Sequence, residues 1–466
     1  MKSVPAIISL FLFLVGSTQS IIAQDLLIKG GWLVQPEENK TIPNPGIFIR
    51  SGKIFEIGSG ISADGIPILE LEEDDYLLPG LIDLHAHYRI TYKGLAKDDT
   101  VAMPKIFLAS GTTTTFPAGE VQPYKMKELR ESIDRGERPG PRILNSGPYF
   151  GRSAPDWDPD FTEQDITDRV DYWAEQGVMG FKAKNITPDH LKTLINRAHQ
   201  HGLTVTGHLN SGVGNSVNPE DAILMGIDRV EHFLGGELIA DSSNAYNSLA
   251  YLDSEDPLLD KIIDLYVKHG VYFDATIGTY GGIGQFKGPE FDDWIKDRQF
   301  LTPFTRSKTT QPVRSGYMFD ISQGIYPVKR RIAKRYFDAG GLITLGTDRP
   351  FSPSTYQGEG LLGGFFIHRE MEILVNSGIP EAEVLKIATI HGARAMGLSD
   401  RLGSIEISKW ADMIVIKGDP LENIRNTRTV HTVIKGGVLF DTKALMQMSQ
   451  GKLGPQSEES WFGDRQ

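Results

Sequence analysis

The 466-residue chain contains no cysteine. Disulfides, thiolate zinc sites, cysteine nucleophiles and a lipidated N-terminal cysteine are therefore excluded. Basic residues are the minority charge, 48 against 60 acidic ones for a net charge of -12, which repels phosphate backbones and argues against general nucleic-acid binding. Long apolar runs are missing too. The first stretch, MKSVPAIISLFLFLVGSTQSIIAQ, has one lysine, a run of about ten apolar residues and small residues before Gln24, as a secretory signal does; a membrane span needs ~20. Residues 1–23 read as a cleaved signal peptide, which makes the mature protein exported, periplasmic or secreted, and free of the membrane after signal removal. No glycine-rich dinucleotide fingerprint appears, so a doubly wound nucleotide-binding sheet has no support.

A chain of this length implies one large α/β body plus something smaller. LLIKGGWLVQ, GIFIRSGKIFEIGS and ILELEEDDYLLPG near one end, and GSIEISKWADMIVIKGDP and VHTVIKGGVLF near the other, read as short strands broken by glycine pairs. Strand edges left alone are a liability, so residues 24–79 and 401–445 are expected to form one small β-sandwich domain built from both chain ends. Between them, residues 80–400 alternate strand and helix. Strand-like runs fall at 81–87, 112–118, 142–147, 178–185, 204–209, 229–233, 271–277 and 343–348. Amphipathic stretches such as DPLLDKIIDLYVKHG separate them. The predicted fold is therefore α/β, a (β/α)₈ TIM-like barrel whose reactive groups gather at the C-terminal strand ends. Residues 279–324, rich in Gly, Phe, Tyr and Trp, read as a long connection, and 446–466 as a C-terminal tail.

In GLIDLHAHYRI, residues 80–90, strand alternation puts Leu81, Asp83, His85 and His87 on one face. The same spacing in RAHQHG, at His199 and His201, falls in a helical segment, where two steps rotate a side chain by roughly 200°. That pair cannot converge on one ion. The remaining strand ends contribute Lys182, His208, His232 and Asp348. Burying these six groups together without a counter-charge would be costly, and a metal supplies that charge. Lys182 is the most informative: an ammonium beside cations is disfavoured, whereas a neutral amine can condense with carbon dioxide into an anionic carbamate with two oxygens, able to bridge two metals. Lys184, on the same strand face, is the fallback for that role.

GLIDLHAHY, GFKAK, TVTGHL, RVEHF, ITLGTD and the closing IHGARAMGLSDRLGSIEISKWADMIVIKGDPLENI together resemble the amidohydrolase superfamily, most of all its branch of imidazolonepropionase-related hydrolases and Xaa-Pro or Xaa-Arg dipeptidases. The resemblance covers nearly all of the mature chain. It implies that His85 and His87 bind a first metal and His208 and His232 a second, that carboxylated Lys182 bridges them, and that Asp348 binds the first ion and carries the proton. Histidine with oxygen ligands suits two divalent ions, best zinc, with manganese, cobalt or iron as alternatives. The implied reaction is hydrolysis of amide C–N bonds, linear or cyclic, such as those of dipeptides or N-acyl compounds, by a metal-bridging hydroxide with Asp348 as proton shuttle.

Ester, lactone or phosphotriester cleavage at the same binuclear site is the second reading, and a catalytically silent binding protein a remote third. Deamination is disfavoured, because HLNSGVG after strand five lacks the glutamate of related deaminases. Tyr88, Arg89, Tyr149, Arg152, Trp157, Tyr280 and Arg349, just past strand ends, are the candidate contacts to a small-molecule substrate, and an arginine there would favour a carboxylate on it. A homo-oligomer is compatible with this reading.

Overall fold

The computed structural model describes residues 25–62, 65–209, 217–234, 245–309, 314–355 and 358–463; the signal-peptide reading of residues 1–23 lies outside them. Strands from both ends of the chain meet in one eight-stranded sheet. Val438–Asp441, Thr432–Lys435, Met413–Lys417, Ile68–Pro79, Leu26–Gln35, Gly46–Arg50 and Lys53–Gly58 lie side by side in that order, and Lys40–Pro43 pairs with Leu26–Gln35. Contact between the two ends is direct: Met413–Lys417 runs antiparallel to Ile68–Pro79. The expected two-layer sandwich takes the form of a single continuous sheet. One core contains Ile28, Leu33, Ile47, Ile49, Leu77, Met413 and Val415, while the alternate residues Leu27, Phe48, Leu78, Ile414 and Ile416 are buried in other clusters from the opposite face.

Strand Ile68–Pro79 runs almost directly into the first parallel strand of the large body. Gly80 makes the turn, and only glycine fits there, because a Cβ would sit 2.1 Å from Thr113 Oγ1. Eight parallel strands follow: β1 (Leu81–Ala86), β2 (Thr112–Pro117), β3 (Arg142–Ile143), β4 (Gly180–Lys184), β5 (Thr204–His208), β6 (Arg229–Glu231), β7 (Tyr272–Asp274) and β8 (Leu342–Thr344). They form two ladders, β3-β2-β1 and β4-β5-β6-β7-β8, the second extended beside β4 by Tyr149–Phe150. Leu84 N–H donates to Leu345 O at 2.9 Å and Met179 N–H to Asn145 O at 2.8 Å, so hydrogen bonds also join β1 to the end of β8 and the end of β3 to the start of β4.

Each strand is followed by a helix, among them Pro123–Asp134, Glu163–Glu175, Pro188–Gln200 and Pro257–His269. The last begins on Asp256, whose side chain caps Leu258 N–H, and ends on Gly270 in the left-handed conformation. Of the apolar stripe Leu258, Leu259, Ile262, Ile263 and Tyr266 in this segment, all but Leu258 are buried, and Leu258 is half-buried.

Three expectations are refined by the structure. The third strand is a two-residue ladder segment rather than 142–147, since the chain turns at Gly147 in the left-handed region. The long 279–324 connection carries secondary structure: the end of helix Ile277–Ile283, helix Pro303–Lys308 and the start of Tyr317–Asp338. Of the 446–466 tail, the described residues 446–463 are packed against the body, with Leu453 N–H donating to Phe300 O at 2.8 Å and Trp461 buried.

Candidate metal centre

His85 is the penultimate residue of β1, with His87 just beyond the strand; Lys182 lies in β4, His208 ends β5, His232 follows β6 and Asp348 follows β8. All six line one cavity of about 290 Å³, together with Lys184, Tyr149, Tyr246, Thr279, Tyr280, Asp297 and Arg349. The imidazole rings of His85 and His87 have centroids 5.2 Å apart, those of His85 and His232 4.9 Å, and those of His208 and His232 4.4 Å. Asp348 Oδ1 is 3.0 Å from His87 Nε2 and 3.5 Å from His85 Nε2, while its Oδ2 is 3.9 Å from His232 Nδ1.

Backbone geometry at the strand ends aims these groups. Asp348 and His232 both hold positive φ, 43° and 67°, a conformation that costs non-glycine residues of order 1–3 kcal/mol and persists where the surroundings enforce it. At Asp348 the enforcement is visible: its N–H donates to His85 O at 2.9 Å, and the Thr279 hydroxyl reaches the carbonyls of Thr347 and Asp348 at 2.9 and 2.7 Å. Asp83 accepts from Thr347 N–H, Thr347 Oγ1 and His85 N–H at 3.1, 2.7 and 3.0 Å, tying the first strand to the turn that carries Asp348. Gly346 completes the arrangement, since a Cβ there would lie 2.5 Å from His85 Cβ and from Asp274 Oδ1.

Burial sets the protonation. Desolvation holds His85, His208 and His232 well below the ordinary imidazole range, and neighbouring cations act in the same direction. These rings are neutral and each keeps a lone pair for a ligand. The same burial drives the Lys182 amine well below its normal range. At Asp348 burial alone would raise the carboxyl, but the hydrogen bond and charge of His87 outweigh it and the net shift is downward. His85 Nδ1 is 2.9 Å from Asp274 Oδ2 and His232 Nδ1 2.6 Å from Thr276 Oγ1. Such bonds to one ring nitrogen orient the other toward a cation.

Glu231, Asp274, Asp83, Thr276 and Tyr246 are members of the site that strand-end reading passes over. Glu231 is fully buried, its Oε2 paired with Lys182 Nζ; the same oxygen is 3.6 Å from His85 Nδ1 and 3.9 Å from His232 Nε2. Single atoms of His85, His87 and Asp348, and likewise of His85, Glu231 and His232, lie within 4.8 Å of one another. Neutral imidazoles, the ionised Asp348 carboxylate and the buried Glu231 carboxylate form a donor set that fits divalent cations.

Of the candidate substrate contacts, Tyr149, Tyr280 and Arg349 line this cavity. Tyr88 does not: it is buried against Phe107 and bonded to Thr115, a core residue. Arg89 lines a neighbouring cavity that shares Tyr149 as a wall. Arg152 and Trp157 are not among the lining residues either; Trp157 packs on Phe150, Phe161 and His190.

Residues 76–440 match the model of the amidohydrolase family, and the chain belongs to that family. Among curated relatives it is 32% identical over 134 residues to a Nematostella vectensis protein named "Probable imidazolonepropionase", covering 28% of this chain and 29% of that one. It is 31% identical over 112 residues to an S-triazine hydrolase of Gordonia rubripertincta, 23% of this chain and 21% of that one. The chain thus matches less than a third of the length of these relatives. Solved structures match over far more: a Xaa-Pro dipeptidase with bound methionine superposes with a TM-score of 0.66 at 22% identity, over 90% of this chain and 100% of that one. A molinate hydrolase does so at 0.66 and 16%, over 94% and 99%. These likenesses establish a shared fold.

Proposed function

We propose that this chain is a metal-dependent hydrolase of amide C–N bonds in small molecules, linear or cyclic, working on a closed (β/α)₈ barrel of which the two parallel ladders are the arcs. The observation that carries the reading is the convergence of His85, His87, Lys182, His208, His232 and Asp348 from five strand ends on one cavity. His85, His87 and Asp348 would hold one divalent ion, His208 and His232 a second, with carboxylated Lys182 between them; zinc suits the donors best. When bound, such ions lower the pKa of a coordinated water and polarise a carbonyl. Asp348, ionised and held toward His87, takes the proton released by the attacking water and delivers it to the departing amine. Glu231 adds a second anion beside Lys182, and bound cations offset both. The relatives named as a triazine hydrolase and an imidazolonepropionase support the C–N class.

The same reading has the protein exported after loss of residues 1–23, with barrel 80–400 inserted between 24–79 and 401–445. Among the described residues no helix is long and apolar enough to cross a membrane. The test is turnover by the purified, zinc-supplemented chain on parallel panels of N-acyl amino acids, dipeptides and cyclic amides, and of esters, lactones and phosphotriesters. Amide hydrolysis with the highest kcat/KM in the first panel is expected. Preference for the second panel, or no turnover in either, overturns it.

A further inference from the structure

The cavity contains a cation that neither the metal ligands nor the fold uses. Lys184, the last residue of β4, lines it two residues beyond Lys182 and in register with His208 on the adjacent strand. Other basic side chains of the region are engaged: Arg349 Nε donates to Leu361 O at 2.7 Å, Lys182 sits against Glu231, and Arg89 Nε donates to Thr91 Oγ1 at 3.2 Å and lines the neighbouring cavity. Lys184 forms no ion pair or hydrogen bond among the described residues; its nearest aromatic contact is the Tyr149 ring, 5.8 Å from Nζ. Asp348 attracts this charge from within the cavity, but no carboxylate among the described residues pairs with it directly, so burial strips its hydration without a hydrogen bond in return.

The same cavity also has apolar lining, with Ile283, Met318, Phe351, Leu361 and Leu362. A ligand with an apolar body and one anionic end matches both features.

We infer that Lys184 anchors an anionic group, a carboxylate, on the substrate, and so makes this enzyme selective for carboxylate-bearing amides. This rests on the hydrolase reading for the location of the reaction and adds the charge of what is cleaved. An ion pair formed inside the cavity holds the amide against the metal centre from the side of His208, so it acts on substrate binding more than on bond cleavage.

The test compares N-benzoylglycine with N-propylbenzamide, which lacks the carboxylate, as substrates and, by calorimetry, as ligands of the zinc-loaded full-length chain. Wild type is expected to bind the acid at least ten times more tightly and to show a correspondingly lower KM. In Lys184→Met and Lys184→Gln the acid should lose that advantage through KM, with the neutral amide within about twofold of wild type, and Lys184→Arg should restore it. Equal handling of the two compounds by wild type, or an unchanged ratio in both neutral variants, overturns the anchor. Calorimetric binding of the acid that depends on Lys184, without cleavage of either compound, would leave the anchor standing and remove the hydrolase reading. Cleavage of both at rates indifferent to Lys184 would do the reverse.

Discussion

His85 Nδ1 lies 2.9 Å from Asp274 Oδ2, and both side chains are sealed from solvent. This bond fixes one ring nitrogen and leaves Nε2 facing Asp348 at 3.5 Å. Outer partners of this kind are worth about 10–100-fold in metal affinity. Asp274→Ala should therefore weaken metal binding by about that factor while Asp274→Asn, which keeps an acceptor, loses less. Competition with a chromophoric chelator measures it. Equal affinities for wild type and Asp274→Ala would show that the ring is oriented by something else.

Asp348 is asked to do two things, and an amide in its place keeps only one. Asp348→Asn retains an oxygen toward the metal but cannot accept a proton, so metal content should stay near that of wild type while kcat falls by about 10²–10⁴-fold. Near-normal rates would take Asp348 out of proton transfer.

Glu370 lies behind the site, accepting Ile277 and Gly278 N–H groups at 2.7 Å each and so fixing the first turn of helix Ile277–Ile283 that carries Tyr280. Burial pushes its carboxyl from 4.5 up to about 7. Between those values the folded chain holds a proton that the unfolded chain has released, so this contribution to stability is full below 4.5 and is lost as pH rises through 7, at about 1.4 kcal/mol per pKa unit. Denaturation midpoints should fall from pH 5 to pH 8, and fall less steeply in Glu370→Gln, which does not titrate. Parallel slopes would assign the dependence to other groups.

The strand ends were legible because period-two alternation is strict where both faces are buried: Leu81–Ala86 is buried at every residue, and His85 and His87 emerge together from it. The closing segment's return to the first sheet was legible through its glycine-broken strands, and the pairing of Met413–Lys417 with Ile68–Pro79 is its realisation. Glu231 was not legible, because alternation puts neighbours on opposite faces, and only the left-handed φ at His232 lets both reach the site. Asp274 escapes notice for a different reason: it ends β7, a strand with no histidine to draw attention, and its partner His85 is 189 residues away. Loop residues such as Tyr88 were misjudged because position after a strand does not say whether a side chain turns out to the cavity or, as here, back onto Phe107.

Metal content measured by plasma mass spectrometry on the zinc-supplemented chain and on Lys182→Ala addresses the paired cationic centre most directly. The account predicts two equivalents of divalent metal per wild-type chain, and in Lys182→Ala the loss of at least one together with nearly all amide hydrolysis. A Lys182→Ala protein that keeps both ions and full turnover, or a wild-type chain that takes up none, would contradict it.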